Sequence, residues 1–297
     1  MVTTPGWSPN DANTYRAAAE RLNDGHFLYR LLPGDRPMSF RPPYITVPLL
    51  SPPPIAVLWR PLSLLGDASL YLWWAGCVAA TLLALVLMAR RRPIETGVGM
   101  LLLVIPLGLA LGWSNVDGYF LLALVGTWFA ARSGKDLAAG GLIATMVAIK
   151  LTPAPLALWL FAIGRYRAAA AFVGFGTIWL AVSVAGAGLP AHFEYLDVIR
   201  NTFGPGTTDL SLAGLGRTVG LPVAVAGFLP VAWWLLCGVA IALLRHRPGP
   251  AFAAAVLMQV LGSPVVQPYT FILLLALIAP LAWPWHTASM SSSASSS

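Results

Sequence analysis

The chain of 297 residues is far more apolar than a soluble protein: 58% of its residues are hydrophobic, only 10% are charged, and the mean hydropathy is +0.74. Soluble domains carry about 25% charged residues, so this composition excludes an ordinary soluble domain. The net charge of +7 does not indicate nucleic-acid binding, because the basic residues lie in turns between apolar runs rather than on one soluble face.

The first 68 residues are polar and proline-rich, and we predict that segment 1–68 is an extracytoplasmic loop with short helices. Apolar runs and short polar turns then alternate over 69–285, which is typical of repeated bilayer crossings. The Ser-rich segment 286–297 is predicted to be a disordered cytoplasmic tail. The sequence therefore predicts an all-α polytopic membrane protein with about nine transmembrane or partly spanning helices. Their predicted bounds are 69–89, 96–112, 118–131, 137–149, 153–164, 168–187, 222–244, 250–263 and 268–285.

Basic residues cluster in four turns between these runs, and such clusters remain on the cytoplasmic side of a membrane. The four turns hold nine basic and two acidic residues, whereas the rest of the chain holds nine of each. If successive basic turns lie on the same side, the chain between them crosses the membrane an even number of times, and the intervening segments form hairpins or near-hairpins. Segment 137–163 could instead be one long helix bent at its prolines. The N-terminal loop then lies outside the cell. Since no apolar segment precedes that loop, we expect that a first span is missing from this chain.

The hairpin vertices carry most of the unusual polar residues. GWSNVDG at 112–118, IKLTP at 149–153 and GSPVVQP at 262–268 all face outward in this topology. Polar groups near the hydrocarbon are costly and tend to mark substrate paths, and irregular backbone at that depth lines cavities. We therefore predict an outward-facing cavity with charged walls, which the loops 1–68 and 188–221 complete.

Four charged residues near this cavity each have two interpretations. Asp11 opens the helical stretch DANTYRAAAERLNDGHFLY, where it is either a helix N-cap or a general base beside the membrane surface. Lys150 is either an interfacial lysine or a counter-charge for a lipid phosphate. Arg217 in DLSLAGLGR and Arg41 in FRPPY have the same two interpretations as Lys150.

Other chemistries have no support in the sequence. Cys77 and Cys237 lie inside apolar runs and are interpreted as packing residues rather than a disulfide. The four histidines lack ligand spacing, so no metal site is predicted. The chain has no P-loop, no CxxC, no GxSxG and no GxGxxG after a strand, which argues against NTP-driven transport and soluble-type hydrolysis.

Six segments follow one another in a recognisable order: DANTYRAAAERLNDGHFLY, SPPPIAVLWRPLSLL, SNVDGYFLLAL, AAGGLIATMVAIKLTPAPLALWLFAIGRYRAAA, DLSLAGLGR and GSPVVQPYTFILLL. In this order the chain resembles glycosyltransferase family 87, the integral-membrane mannosyltransferases that use polyprenol-phosphate-mannose, within the C-type glycosyltransferase superfamily. The block with Lys-x-Thr-Pro and Arg-x-Arg is the most specific match. The late Ser-Pro segment departs from many relatives, in which it continues into Trp and His.

The resemblance implies a C-type fold in the cell membrane with an extracytoplasmic active site. It implies inverting transfer of a sugar, expected to be mannose, from a polyprenol-phosphate donor to the hydroxyl of a lipid or glycan acceptor, without a cofactor or metal. Asp11 occupies the position of the family's carboxylate base, and Lys150, Arg217 and Arg41 are expected to bind the donor phosphate. Sugar or acceptor binding is expected of Tyr15, Asn115, Asp117, Gln267 and Tyr269.

Two other functions fit the same cavity. A lipid or glycolipid transporter, such as a flippase, would use the phosphate-binding cations but would not need Asp11 as a base. A non-catalytic, degenerate relative would fit the short N-terminus and the altered Ser-Pro segment.

Overall fold

The protein is described by a computed structural model over residues 10–33, 38–39, 46–202 and 210–285, and it is dominated by helices. The α-helices in chain order are α1 Asn10–Asn23, α2 Pro53–Ser63, α3 Ala68–Ala89, α4 Pro93–Leu102, α5 Val104–Gly112, α6 Asp117–Arg132, α7 Asp136–Ile149, α8 Pro155–Ala162, α9 Tyr166–Ala187, α10 Leu189–Thr202, α11 Leu212–Thr218, α12 Val223–Leu243, α13 Pro248–Leu261 and α14 Ala279–Ala282. A 3-10 helix, Pro268–Ile278, runs directly into α14. Two short strands, β1 Met38–Ser39 and β2 Thr46–Val47, pair antiparallel in the first loop.

Within the described residues, α3, α9 and α12 are each long and apolar enough to cross a membrane. Helices α4 and α5 would form a fourth span if they act together, although they are bent by 73°. The other apolar helices are shorter, because turns and prolines divide the chain at the predicted vertices. A helical membrane protein is therefore what the structure supports, while the number of nine spans remains a prediction.

The segment between α7 and α8 decides one alternative that the sequence left open. Lys150 has an extended backbone, with φ −153° and ψ 123°, and it ends α7. Pro155 opens α8 at a position where a helix tolerates proline. The segment 137–163 therefore forms two helices with a break at Lys150 rather than one long bent helix.

Three of the four basic turns meet at the C-terminal end of the described chain. Arg92 donates a hydrogen bond from Nε to the carbonyl of Leu281, at 3.0 Å. Arg132 donates in the same way to Pro284, at 2.6 Å. The guanidinium of Arg165 lies 5.2 Å from the ring centroid of Trp285. These turns thus share one end of the bundle, as the charge pattern predicts.

Helices α7 and α9 pack with their backbones in close approach. A Cβ atom at Gly140 would lie 2.3 Å from the carbonyl oxygen of Ala168 and 2.6 Å from the backbone nitrogen of Phe172. Small residues allow such approach between helices in membranes, where hydrogen bonding and van der Waals packing replace the hydrophobic drive for association. Gly140 is therefore a position at which the fold requires glycine.

We expect Gly140→Ala to destabilise the protein, because the new methyl group meets rigid backbone that cannot move aside. Overpacking of this kind costs roughly 1–3 kcal/mol, which would lower the temperature of thermal unfolding in detergent. Gly174→Ala on α9 is the matched control, since a Cβ there meets nothing within 4 Å and alanine favours the helix. Equal unfolding temperatures for the two variants would contradict the close packing of α7 on α9.

Candidate functional site

The carboxylate of Asp11 is the meeting point of three chain segments. Its backbone nitrogen donates to the carbonyl of Trp113 at 3.4 Å, which places α1 against the vertex 112–118. Its Oδ2 accepts a hydrogen bond from Nδ2 of Asn115. A second side-chain hydrogen bond joins it to Tyr269 at the start of the 3-10 helix. The carboxylate thus contacts partners from two of the polar vertices.

Near Asp11 lies an ion pair whose acidic member is buried. The ammonium of Lys150 is 3.2 Å from Oδ1 and 3.4 Å from Oδ2 of Asp117. The side chain of Asp117 is completely buried, whereas that of Lys150 is 25% exposed. A carboxylate at such depth requires a charged partner, since desolvation would otherwise disfavour its ionised form. The pair ties the beginning of α6 to the end of α7.

The surroundings of Asp11 raise its pKa above the ordinary value for an aspartate. Burial is the main cause, and the nearby carboxylate of Asp117 adds to it. The hydrogen bond from Asn115 and the charge of Lys150 act in the opposite direction. A carboxyl whose pKa is raised can accept a proton more strongly once it is ionised, which is the property that a general base needs.

Asp11, Asn115 and Lys150 line a cavity of about 1120 Å³. Gln267 and Tyr269 add further polar groups to its lining. The lining also contains apolar side chains such as Leu151, Val198, Ile199, Trp234 and Val265. One space is therefore lined by both charged and apolar side chains.

Of the nine residues that the sequence singles out, six line this cavity: Asp11, Tyr15, Asn115, Lys150, Gln267 and Tyr269. Asp117 is fully buried behind them and contacts Lys150 instead. Arg217 lies on an exposed part of α11 and is not among the described residues that line the cavity. Arg41 lies outside the described residues. The structure thus brings the predicted base and Lys150 together but does not bring Arg217 to them.

Two arginines and a glutamate of α1 also line the cavity, and the sequence did not single them out. Arg16 pairs with Glu20 at 3.4 Å and with Asp67 at 2.7 Å. Arg21 is buried and donates to the carbonyl of Arg30 at 2.7 Å. A helical projection of α1 does not predict this, because Arg16, Glu20 and Arg21 do not follow Asp11 at the spacing of three or four residues that marks one helix face.

Among the described residues, no group of three or more His, Cys, Asp or Glu side chains is arranged to hold a metal ion. The two carboxylates of the site instead face the ammonium of Lys150.

Comparison with known proteins finds a protein family whose model matches this chain. The model of glycosyltransferase family 87 matches residues 50–284, which is most of the chain. The match includes the vertices with Asn115, Lys150 and Tyr269, and it begins after α1. No curated protein and no solved structure matches the chain. The chain thus belongs to glycosyltransferase family 87, and it is accordingly a membrane glycosyltransferase.

Proposed function

We propose that the protein is an inverting glycosyltransferase that moves a sugar from a polyprenol-phosphate donor to an acceptor hydroxyl on the extracytoplasmic side of the cell membrane. Mannose is the sugar that we propose, and a lipid or glycan is the acceptor. The observation that carries the proposal is a partly buried carboxylate, Asp11, in a cavity lined by both polar and apolar side chains. Membership of the family supports the reaction class.

In this reaction the acceptor oxygen attacks the anomeric carbon of the sugar while the bond from that carbon to the phosphate oxygen breaks. The acceptor proton passes to the ionised carboxylate of Asp11, and the polyprenyl phosphate leaves with the electrons of the broken bond. Attack from the side opposite the leaving group inverts the anomeric configuration. A positioned base of this kind contributes roughly 10²- to 10⁴-fold to the rate.

Lys150 is proposed to stabilise the negative charge of the departing phosphate. Its ammonium has three N–H donors, and Asp117 accepts from one side of it. The side chain also lines the cavity, so a phosphate oxygen can approach its remaining donors. Because the cation is already held at this position, no rearrangement is needed when negative charge develops on the phosphate.

The remaining lining residues fit the two other parts of the donor. Gln267, Tyr15 and Tyr269 line the cavity and offer amide and hydroxyl groups to the sugar. Val198 and Trp234 also line it and suit the first isoprene units of the lipid.

Transfer by the purified protein in nanodiscs tests the proposal. We expect radiolabel from polyprenol-phosphate-mannose to appear in an extracted lipid or glycan acceptor, whereas nucleotide-activated mannose gives no product. The anomeric configuration of the product should be opposite to that of the donor. Transfer from the nucleotide donor alone would contradict the proposed donor, and movement of labelled lipid across vesicles without any transfer would favour a flippase.

A further inference from the structure

We infer that Asn115 is a positioning residue that fixes the orientation and the ionisation of Asp11, rather than a ligand for the sugar. The inference rests on the proposed function, because it assigns the ionised carboxylate of Asp11 as the base. Asn115 is only 3% exposed, and both ends of its amide are already engaged inside the protein.

The orientation of the amide follows from its two hydrogen bonds. Oδ1 of Asn115 accepts from the backbone N–H of Asp117 at 2.8 Å, and Nδ2 donates to Oδ2 of Asp11. Turning the amide over would place its NH₂ group against a backbone donor and its oxygen against a carboxylate. The first turn of α6 therefore forces Asn115 to present a donor to Asp11.

The backbone around Asn115 is held as firmly as its side chain. Ser114 adopts a left-handed conformation with φ 55°, and its carbonyl accepts from Nε1 of Trp73 at 3.0 Å. The carbonyl of Asn115 accepts from Sγ of Cys77 at 3.3 Å. A Cβ at Gly118 would lie 2.4 Å from the same sulfur, so α3 and the vertex are in close contact. The amide thus occupies a fixed position relative to α3.

A donor in this position favours the charged form of Asp11 and leaves it able to react. A carboxylate has about four lone-pair sites, so the hydrogen bonds from Asn115 and Tyr269 leave capacity for the acceptor hydroxyl. The charged groups that face Asp11 are Lys150, which favours ionisation, and Asp117, which opposes it. The hydroxyls of Tyr15 and Tyr269 complete its surroundings.

The expected effect has a definite sign. A base must be ionised, so activity is lost as the pH falls through the pKa of Asp11. Removal of a hydrogen bond that stabilises the ionised form raises that pKa further. Asn115→Ala should therefore move the acidic limb of the pH–kcat profile upward by about one pH unit. Asn115→Asp, which keeps an acceptor for the N–H of Asp117 but places a carboxylate beside Asp11, should move it further.

A second measurement reports on the carboxyl itself and needs no substrate. A hydrophobic carbodiimide labels protonated buried carboxyls, and peptide mass spectrometry locates the label at Asp11 as the pH is varied. We expect the labelling midpoint to move upward in the order wild type, Asn115→Ala, Asn115→Asp. Asn13→Ala removes another amide that lines the same cavity, and it should leave the midpoint unchanged.

The two measurements separate the inference from the proposed function. A uniform loss of activity at every pH, with an unchanged labelling midpoint at Asp11, would overturn the role of Asn115. An upward midpoint together with full transfer by Asp11→Asn would support the contact between Asn115 and Asp11 but remove Asp11 as the base. If Asn115→Ala fails to fold, Asn115→Asp decides the question, because it preserves the hydrogen bond to α6.

Discussion

Asp11→Asn is expected to lower the rate of sugar transfer about 10²- to 10⁴-fold at pH values above the pKa of Asp11, where the wild-type carboxylate is ionised, because an amide cannot accept the proton of the attacking hydroxyl. The new side chain has the same shape, and its oxygen can still accept the hydrogen bond from Asn115. Folding and donor binding should therefore change little. The measurement is single-turnover transfer from labelled polyprenol-phosphate-mannose, which separates chemistry from product release.

Asp24→Asn is the matched control for this variant. Asp24 follows α1 directly and is exposed, so the same change of charge occurs in the same loop away from the cavity. We expect wild-type rates for it. Equal rates for wild type and Asp11→Asn would show that another group accepts the proton. The contact between Asp11 and Asn115 would then have only a structural role.

The sequence predicts which residues belong to this site better than it predicts how they are arranged. Hydropathy indicates the membrane class because costly polar groups stand out within apolar runs. The vertices around Asn115 and Lys150 were recognisable for that reason, and the structure places both beside Asp11. Whether a polar residue faces the cavity or supports its wall depends on packing between distant helices, and residue spacing carries no information about it.

Asp117 and Arg217 illustrate that limit. Both lie in polar segments that the topology places near the cavity, yet Asp117 is fully buried behind Lys150 and Arg217 is exposed on α11. Helix length was equally hard to predict. Prolines and turns shorten several apolar segments into helices of at most 17 residues, and hydropathy alone cannot distinguish these from full spans.

The ion pair between Lys150 and Asp117 leads to the second large effect. We expect Lys150→Met to lower the free energy of unfolding by about 3 kcal/mol, since it leaves a fully buried carboxylate without its cation. This value is at the low end of the usual cost of removing one partner from a buried ion pair, because the lysine is 25% exposed. Asp117→Asn should cost less, because the remaining ammonium can still reach the cavity. Thermal unfolding of both variants in the same detergent measures the difference.

The double variant Lys150→Met/Asp117→Asn separates the structural role of the pair from its role in transfer. Removing both charges eliminates the uncompensated carboxylate, so most of the lost stability should return. Transfer should nevertheless remain low, because no cation then faces the departing phosphate at this position. If the double variant recovers both stability and transfer, Lys150 serves only to neutralise Asp117, and the phosphate must be stabilised elsewhere in the cavity. Arg16 and Arg21, which line the same cavity, would then be the first residues to replace.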